Sequence, residues 1–491
     1  MADDELSPAR FGTAFKAFLD AMVAQAKPPV SPLLQRIQGH LGADPNQLPV
    51  ITEEFDAFEH PNVQVALDSY LSRADREAAL VGIAAENKRF MSLGLSDLLS
   101  RNGLPDRSML AAGPVDYVNF RLADDRVLSC VRFGLYLIRD GDVRLVVFVV
   151  GPSLNEGPRP KVRVEVLAAQ PTESQAFLAE LTDTMDQLNV YRGQVISLSP
   201  GQGPGPQTLV VFHSFPPVTR DDVILPDGLL ERVERHTVVF AEQADRLLAA
   251  GRSLKRGLLL YGPPGTGKTL TVRYLISRMP GRTVLLTTGR GMGMIQTVAT
   301  LARTLAPSMV VLEDVDLIAE ERGHPFMQTG PLLFELLNEM DGLGNDADVL
   351  FVLTTNRPDS LEPALAARPG RIDLAIEFSL PEAKARHRLL ELYARGLELR
   401  DVDLEAIVTR TEGASPAYIR ELLRKAAVLA ATDGAGVVVT GEQLEAALAE
   451  LDEGGRLAQR LLGFRAEPEP AGPDVMPMPP RAIRPTGFPR T

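Results

Sequence analysis

Apolar residues recur at helical spacing through residues 1–105. Phe11, Phe15, Phe18, Leu19 and Met22 form one stripe, and a second amphipathic segment runs from Arg76 through Ile83 and Phe90 to Leu99. Pro28, Pro29, Pro32, Pro45 and Pro49 divide this region into short helices, and the stripe is expected to face a core. Over 106–215 the pattern shortens to strands at 117–122, 127–139, 143–150 and 161–168, with Asp140-Gly141-Asp142 as a hairpin turn between two of them. Helical spacing returns at 177–188, and strand-like runs at 194–198 and 208–212 flank a glycine- and proline-rich stretch. These elements predict an α+β domain over 106–215. Over 216–380, 258–261, 283–287 and 309–312 read as apolar strands, the first followed by a glycine-rich turn and a helix-compatible run at 270–279. Four helical segments, at 382–395, 404–409, 417–431 and 443–451, predict a small all-helical subdomain over 381–455. The 456–491 tail carries prolines from Pro468 to Pro489 at short intervals and is expected to be disordered.

Composition narrows the function classes. The net charge is −13 over 491 residues, and the basic side chains are scattered among acids rather than gathered in a stripe. No nucleic-acid partner is expected. The single cysteine, Cys130, sits in an apolar run, and a single thiol allows no disulfide within one chain. The longest apolar run, 145–150, falls far short of the roughly 20 residues that span a bilayer, and Asp3, Asp4 and Glu5 do not suit a signal peptide. The expectation is a cytoplasmic protein without a membrane span. No H-E-x-x-H sequence appears, so a fused metalloprotease is not expected.

The chemistry is concentrated in one stretch. Gly262-Pro263-Pro264-Gly265-Thr266-Gly267-Lys268-Thr269 lies between an apolar strand and a helical run that starts at Leu270, which is the context a G-x-x-x-x-G-K-[ST] phosphate loop requires. Glycines free the backbone so that successive N–H groups can point at phosphates from the positive end of a helix. Lys268 is then placed for the β- and γ-phosphates of ATP, and Thr269 for Mg²⁺. About 45 residues on, the strand at 309–312 ends at Glu313-Asp314-Val315-Asp316. Carboxylates at the end of a buried strand are costly unless they serve a metal or a proton transfer. The apolar Val223-Ile224-Leu225 either lies against the adenine base or is ordinary packing.

With these residues the sequence resembles the AAA branch of the AAA+ ATPases over about 216–455. The likeness rests on motifs in fixed order: the phosphate loop, Glu313-Asp314-Val-Asp316, Leu336-Leu-Asn-Glu-Met-Asp-Gly342, Thr354-Thr-Asn-Arg-Pro358 and Arg368-Pro-Gly-Arg-Ile-Asp373. The resemblance implies an α/β P-loop NTPase fold with a small helical lid, preceded here by the helical region and the α+β domain. It implies Mg²⁺ held through Thr269 and Glu313, water polarised by Asp314, Asn356 aligning that water, and Arg368 and Arg371 reaching ATP on a neighbouring subunit. Catalysis would then require a homo-oligomer, expected to be a hexameric ring, with a protein substrate received by residues 1–215. The leading expectation is ATP-driven remodelling of proteins; the alternative is a slow nucleotide-gated scaffold. The chain departs from the family in three places. The acidic pair is reversed, as in a mitochondrial inner-membrane branch that still hydrolyses ATP. Gly291-Met-Gly-Met-Ile295 stands where a pore loop usually carries an aromatic. Pro416 replaces a lid glycine.

Overall fold

The computed structural model describes residues 8–25, 31–84, 93–99, 111–152, 160–200, 208–287, 294–316, 338–339, 347–359, 371–433 and 437–453. The chain forms two compact units, one of residues 1–220, 231–261 and 269–377, the other of 221–230, 262–268 and 378–491.

The first unit opens with α1 (Pro8–Gln25), α2 (Pro32–Leu41), β1 (Ile51–Asp56), α3 (His60–Leu71), β2 (Arg76–Ala84), α4 (Leu95–Leu99) and β3 (Ala111–Gly113). It continues through β4 (Asp116–Arg121), β5 (Val127–Asp140), β6 (Val143–Val150), β7 (Lys161–Ala168) and α5 (Pro171–Gln187). The strands make one antiparallel sheet in the order β1-β7-β6-β5-β2-β3, with β4 paired to β5. Strand β6 is apolar at nearly every position because both faces of the sheet are covered. Val146, Phe148 and Val150 face the core under α2 and α4, while Leu145, Val147 and Val149 face the core under α3 and α5. Gly141 supplies the positive φ, +56°, that the β5–β6 turn needs. Cys130 is buried, and burial pushes its thiol up to about 12.

Two expectations for residues 1–105 are corrected. They are not a separate helical region: β1 and β2 lie within them and pair with β7, β5 and β3. Residues 78–84 are apolar at almost every position, and such a run satisfies a helical period as readily as a buried strand does. The Phe11 stripe does not face a core: Phe11, Phe15 and Phe18 are 59%, 50% and 57% exposed.

The second sheet contains β8 (Val195–Pro200), β9 (Thr208–Phe212), β10 (Arg256–Tyr261), β11 (Thr283–Thr287), β12 (Ser308–Leu312), β13 (Val349–Thr355) and β14 (Leu374–Glu377). Its order is β14-β10-β13-β12-β11-β8-β9, parallel throughout except for the β8–β9 pair. Placing 194–198 and 208–212 in the α+β domain is therefore corrected: β8 pairs with β11, Val195 opposite Val284. A strand's own pattern does not say which sheet it joins. The run at 229–250 is not one helix but α6 (Leu229–Glu234), a π-turn at Arg235–Val239, α7 (Phe240–Glu242) and α8 (Ala244–Ala249). Helices α9 (Lys268–Arg278) and α10 (Ile295–Thr304) follow β10 and β11.

The two sheets are fastened at residues 58–62 and 189–191. The Asn62 carboxamide donates to Glu59 and accepts from Val190 N at 2.9 Å, and the Tyr191 hydroxyl donates to the Phe58 carbonyl. Burial raises Glu59 from its usual 4.5 to about 7 and lowers His60 from 6.5 to about 4. A raised carboxyl stabilises the fold at low pH and loses that contribution as pH rises toward 7. A depressed histidine does the reverse, contributing above 6.5 and losing it as pH falls toward 4. Replacing Glu59 by Gln removes the first effect alone. Relative to pH 5, the variant is expected to be more stable than the parent at pH 8 by roughly 1–3 kcal/mol in denaturant titrations. An unchanged pH difference would show that Glu59 is not buried as a neutral acid.

The second unit carries α11 (Ala383–Tyr393), β15 (Glu398–Arg400), α12 (Leu404–Arg410), α13 (Pro416–Asp433), β16 (Val438–Thr440) and α14 (Gly441–Glu453) around a core that includes Leu390, Tyr418, Leu422 and Leu448. The four helices match the expected segments. The short parallel β15–β16 ladder was not foreseen. Ile224 packs against this core. The 456–491 tail lies outside the described residues.

Candidate active site

Strand β10 runs into the phosphate loop, and the loop into α9. Gly262, Gly265 and Gly267 have φ of +138°, +76° and +102°. A Cβ at 262 would strike the Phe378 carbonyl, and one at 265 would stand 2.8 Å from Ala417 Cβ. At 262 and 265 the bare glycine backbone is thus needed to pack against Phe378 and Ala417. Pro263, Pro264 and Gly265 are exposed on it, and Thr266 is buried with its hydroxyl on the Pro263 carbonyl at 2.8 Å. Lys268 is buried, its ammonium donating to the Gly262 and Pro263 carbonyls at 2.7 and 2.8 Å. Thr269 is exposed and Leu270 half-buried on the first turn of α9.

The lid subdomain touches this loop directly, through Ala417 N donating to the Gly265 carbonyl at 3.2 Å. Ser415 caps α13, accepting from Tyr418 N at 3.2 Å, and Pro416 sits at the first helical position. Proline is tolerated there because that N–H has no helical partner to lose. The lid contact is made by the residue after it.

At the end of β12, Glu313 is half-buried and Asp314 exposed. Asp314 takes φ +51°, held by Asp314 N on Thr354 Oγ1 at 3.1 Å and Val315 N on the Thr354 carbonyl at 3.0 Å. Asn356, just past the end of β13, donates Nδ2 to Asp314 Oδ1 at 3.1 Å. The side chain expected to polarise water and the one expected to align it are in direct contact. Asp316 is 5% exposed and accepts from Thr355 Oγ1 at 2.8 Å and Asn356 N at 3.2 Å. It binds the ends of β12 and β13 together. Sequence reasoning missed this role, although the alternating acids of 314–316 and the paired threonines of 354–355 were its visible signal.

Arg371 is half-buried, and its backbone lies against the start of β10: a Cβ on Gly257 would strike the Arg371 carbonyl. Arg368 lies outside the described residues, as do 291–293 of the methionine loop and most of 336–342.

Residues 258–380 match the ATPase family associated with various cellular activities (AAA), and 401–446 match the AAA+ lid domain. The chain carries the ATPase core and lid of the AAA family. Among similar proteins, the ATP-dependent zinc metalloprotease FtsH of Acaryochloris marina is 30% identical over 385 residues, 72% of this chain and 58% of its own. FtsH 2 of Symbiobacterium thermophilum is 35% identical over 244 residues, 47% of this chain and 41% of its own. The chain therefore spans about half the length of these relatives. The domain is an ATPase domain whose ligands are ATP and Mg²⁺, and the residues present fit them: a loop with three glycines at positive φ, one ammonium, the Thr269 hydroxyl and the Glu313 carboxylate.

Lys268 is the one cation of the loop. Lys268→Ala is expected to weaken Mg-ATP binding by at least about tenfold, the value of one charge-assisted contact to phosphate. Calorimetry on the purified variant reads this directly, and unchanged affinity would remove Lys268 from the site.

Proposed function

We propose that this protein hydrolyses ATP as a ring-shaped homo-oligomer and uses the turnover to remodel protein substrates. One observation carries the assembly: the backbone of Arg371 is anchored beside Gly257, four residues before the end of β10, whereas the phosphate loop begins after Tyr261. Four residues of strand span about 13 Å, more than an arginine side chain reaches. Arg371 therefore serves ATP on another copy, where its charge stabilises the transferring phosphoryl group. Asp314 takes the proton from the attacking water, Asn356 fixes the Asp314 carboxylate, and Glu313 and Thr269 are the residues that would hold Mg²⁺. Bound Mg²⁺ supplies charge neutralisation at the phosphates.

The remodelling role is supported by the relatives, which are ATP-dependent zinc metalloproteases by name. Zinc proteolysis is not carried over to these residues, because the 491 contain no H-E-x-x-H and no group of three metal-ligating side chains occurs among the described residues. Among the described residues, no helix is long and apolar enough to cross a membrane. We place the activity in the cytoplasm. The N-terminal sheet domain, fastened to the ATPase sheet through Asn62 and Tyr191, presents substrates. A slow scaffold is the competing reading, favoured by the short Asp314 in the water-polarising position.

Turnover measured with and without an unfolded casein separates them. A remodeller is stimulated several-fold at unchanged ATP affinity; a flat response with ATP-dependent assembly by light scattering would establish the scaffold.

A further inference from the structure

The start of β10 is packed more elaborately than a strand end requires. Gly257 N donates to Asp373 Oδ2 at 2.8 Å and the Gly257 carbonyl accepts from Asp373 N at 2.9 Å, so one residue grips the other through both backbone and side chain. Glycine is needed at 257, because a Cβ would displace the Arg371 carbonyl. One residue earlier, Arg256 donates to the His236 carbonyl of the π-turn at 2.6 Å, and its guanidinium lies on the Phe240 ring. The foot of β10 is thus tied to the π-turn on one side and to residues 371–373 on the other.

We propose that Asp373 is a positioning residue for Arg371, docking the arginine-bearing segment on the foot of the strand whose other end leads into the phosphate loop. This rests on the reading of Arg371 as an arginine that serves a neighbouring subunit. The Asp373 carboxylate does not touch nucleotide. It accepts from Gly257 N and, with the backbone bond from Asp373 N to the Gly257 carbonyl, sets where residues 371–373 lie before they enter β14, and so where the Arg371 guanidinium is delivered. Each β10 then connects a subunit's own nucleotide loop to the arginine it offers to the next.

The test uses the full-length protein with Asp373→Ala, Asp373→Asn, Gly257→Ala and, as reference, Arg371→Ala. Misplacing a catalytic group by about 1 Å costs on the order of 100-fold, so Asp373→Ala and Gly257→Ala are expected to lose about 10–100-fold in kcat. ATP affinity by calorimetry and oligomer mass by light scattering are expected to stay at parental values. Asp373→Asn keeps an acceptor oxygen for Gly257 N and is expected to restore most of the turnover. Adding Asp373→Ala to Arg371→Ala should cost nothing further, since a positioned group that is already absent cannot be misplaced. Mixing Asp373→Ala subunits with Lys268→Ala subunits, which carry well-placed arginines, should recover activity. Parental turnover in Asp373→Ala beside an inactive Arg371→Ala would overturn the positioning role alone. Parental turnover in Arg371→Ala would overturn the arginine reading beneath it. Loss of ATP affinity or assembly in step with kcat, or a full additive loss in the double variant, would make Asp373 merely structural.

Discussion

Asp314→Asn is expected to keep ATP bound and to lose turnover by about 10²–10⁴-fold, the contribution of a positioned general base. The substitution is unusually clean. Asparagine tolerates the left-handed backbone at φ +51° about as well as aspartate does, so the strand end is not disturbed. Its Oδ1 can still accept from Asn356 Nδ2, the contact that holds the carboxylate at 3.1 Å. Only the ability to accept a proton is lost. Glu313→Gln is expected to act differently, raising the Mg²⁺ concentration needed for half-maximal turnover, because it removes a metal-holding charge rather than the base. Asp316 is not a rival base: it is buried and already accepts from Thr355 and Asn356. Steady-state turnover and nucleotide binding on the two variants decide the assignment, and normal turnover in Asp314→Asn would move the base to Glu313.

What the sequence disclosed follows from how local each signal is. The phosphate loop was legible because its glycines are required by backbone geometry within eight residues, and the structure shows positive φ at all three. The lid helices were legible from period alone. The β5–β6 hairpin was legible from Asp140-Gly141-Asp142. What failed depended on distant partners. Residues 78–84 match a helix and a buried strand equally, and only pairing with β5 and β3 decides for the strand. Strand β8 was assigned to the wrong domain because β11, which it pairs with, lies almost 90 residues on. The Phe11 stripe has a core-like period and yet is exposed. At the site, Glu313, Asp314 and Asn356 were singled out by type and order, and the structure brings Asn356 onto Asp314, while the buried brace of Asp316, and the grip of Asp373 on Gly257, required the fold to bring separate strand ends together.

Arg371→Ala is expected to leave ATP binding to the variant's own loop nearly unchanged and to remove turnover by about 10³–10⁵-fold, the value of an arginine that stabilises the transferring phosphoryl group. The anchor of residue 371 at the far end of β10 from the loop is why binding and turnover should separate. Mixing makes the result diagnostic. An Arg371→Ala subunit supplies a sound loop with Lys268, and a Lys268→Ala subunit supplies a sound arginine. Two inactive proteins are therefore expected to recover partial hydrolysis once co-assembled, and the recovered rate should follow the number of interfaces that pair a sound loop with a sound arginine. An arginine acting on its own chain's nucleotide gives no such recovery, because every subunit in the mixture lacks one of the two parts. Hydrolysis that stays absent in mixtures shown by light scattering to co-assemble would place the arginine within one chain and dissolve the argument for a ring as the catalytic unit.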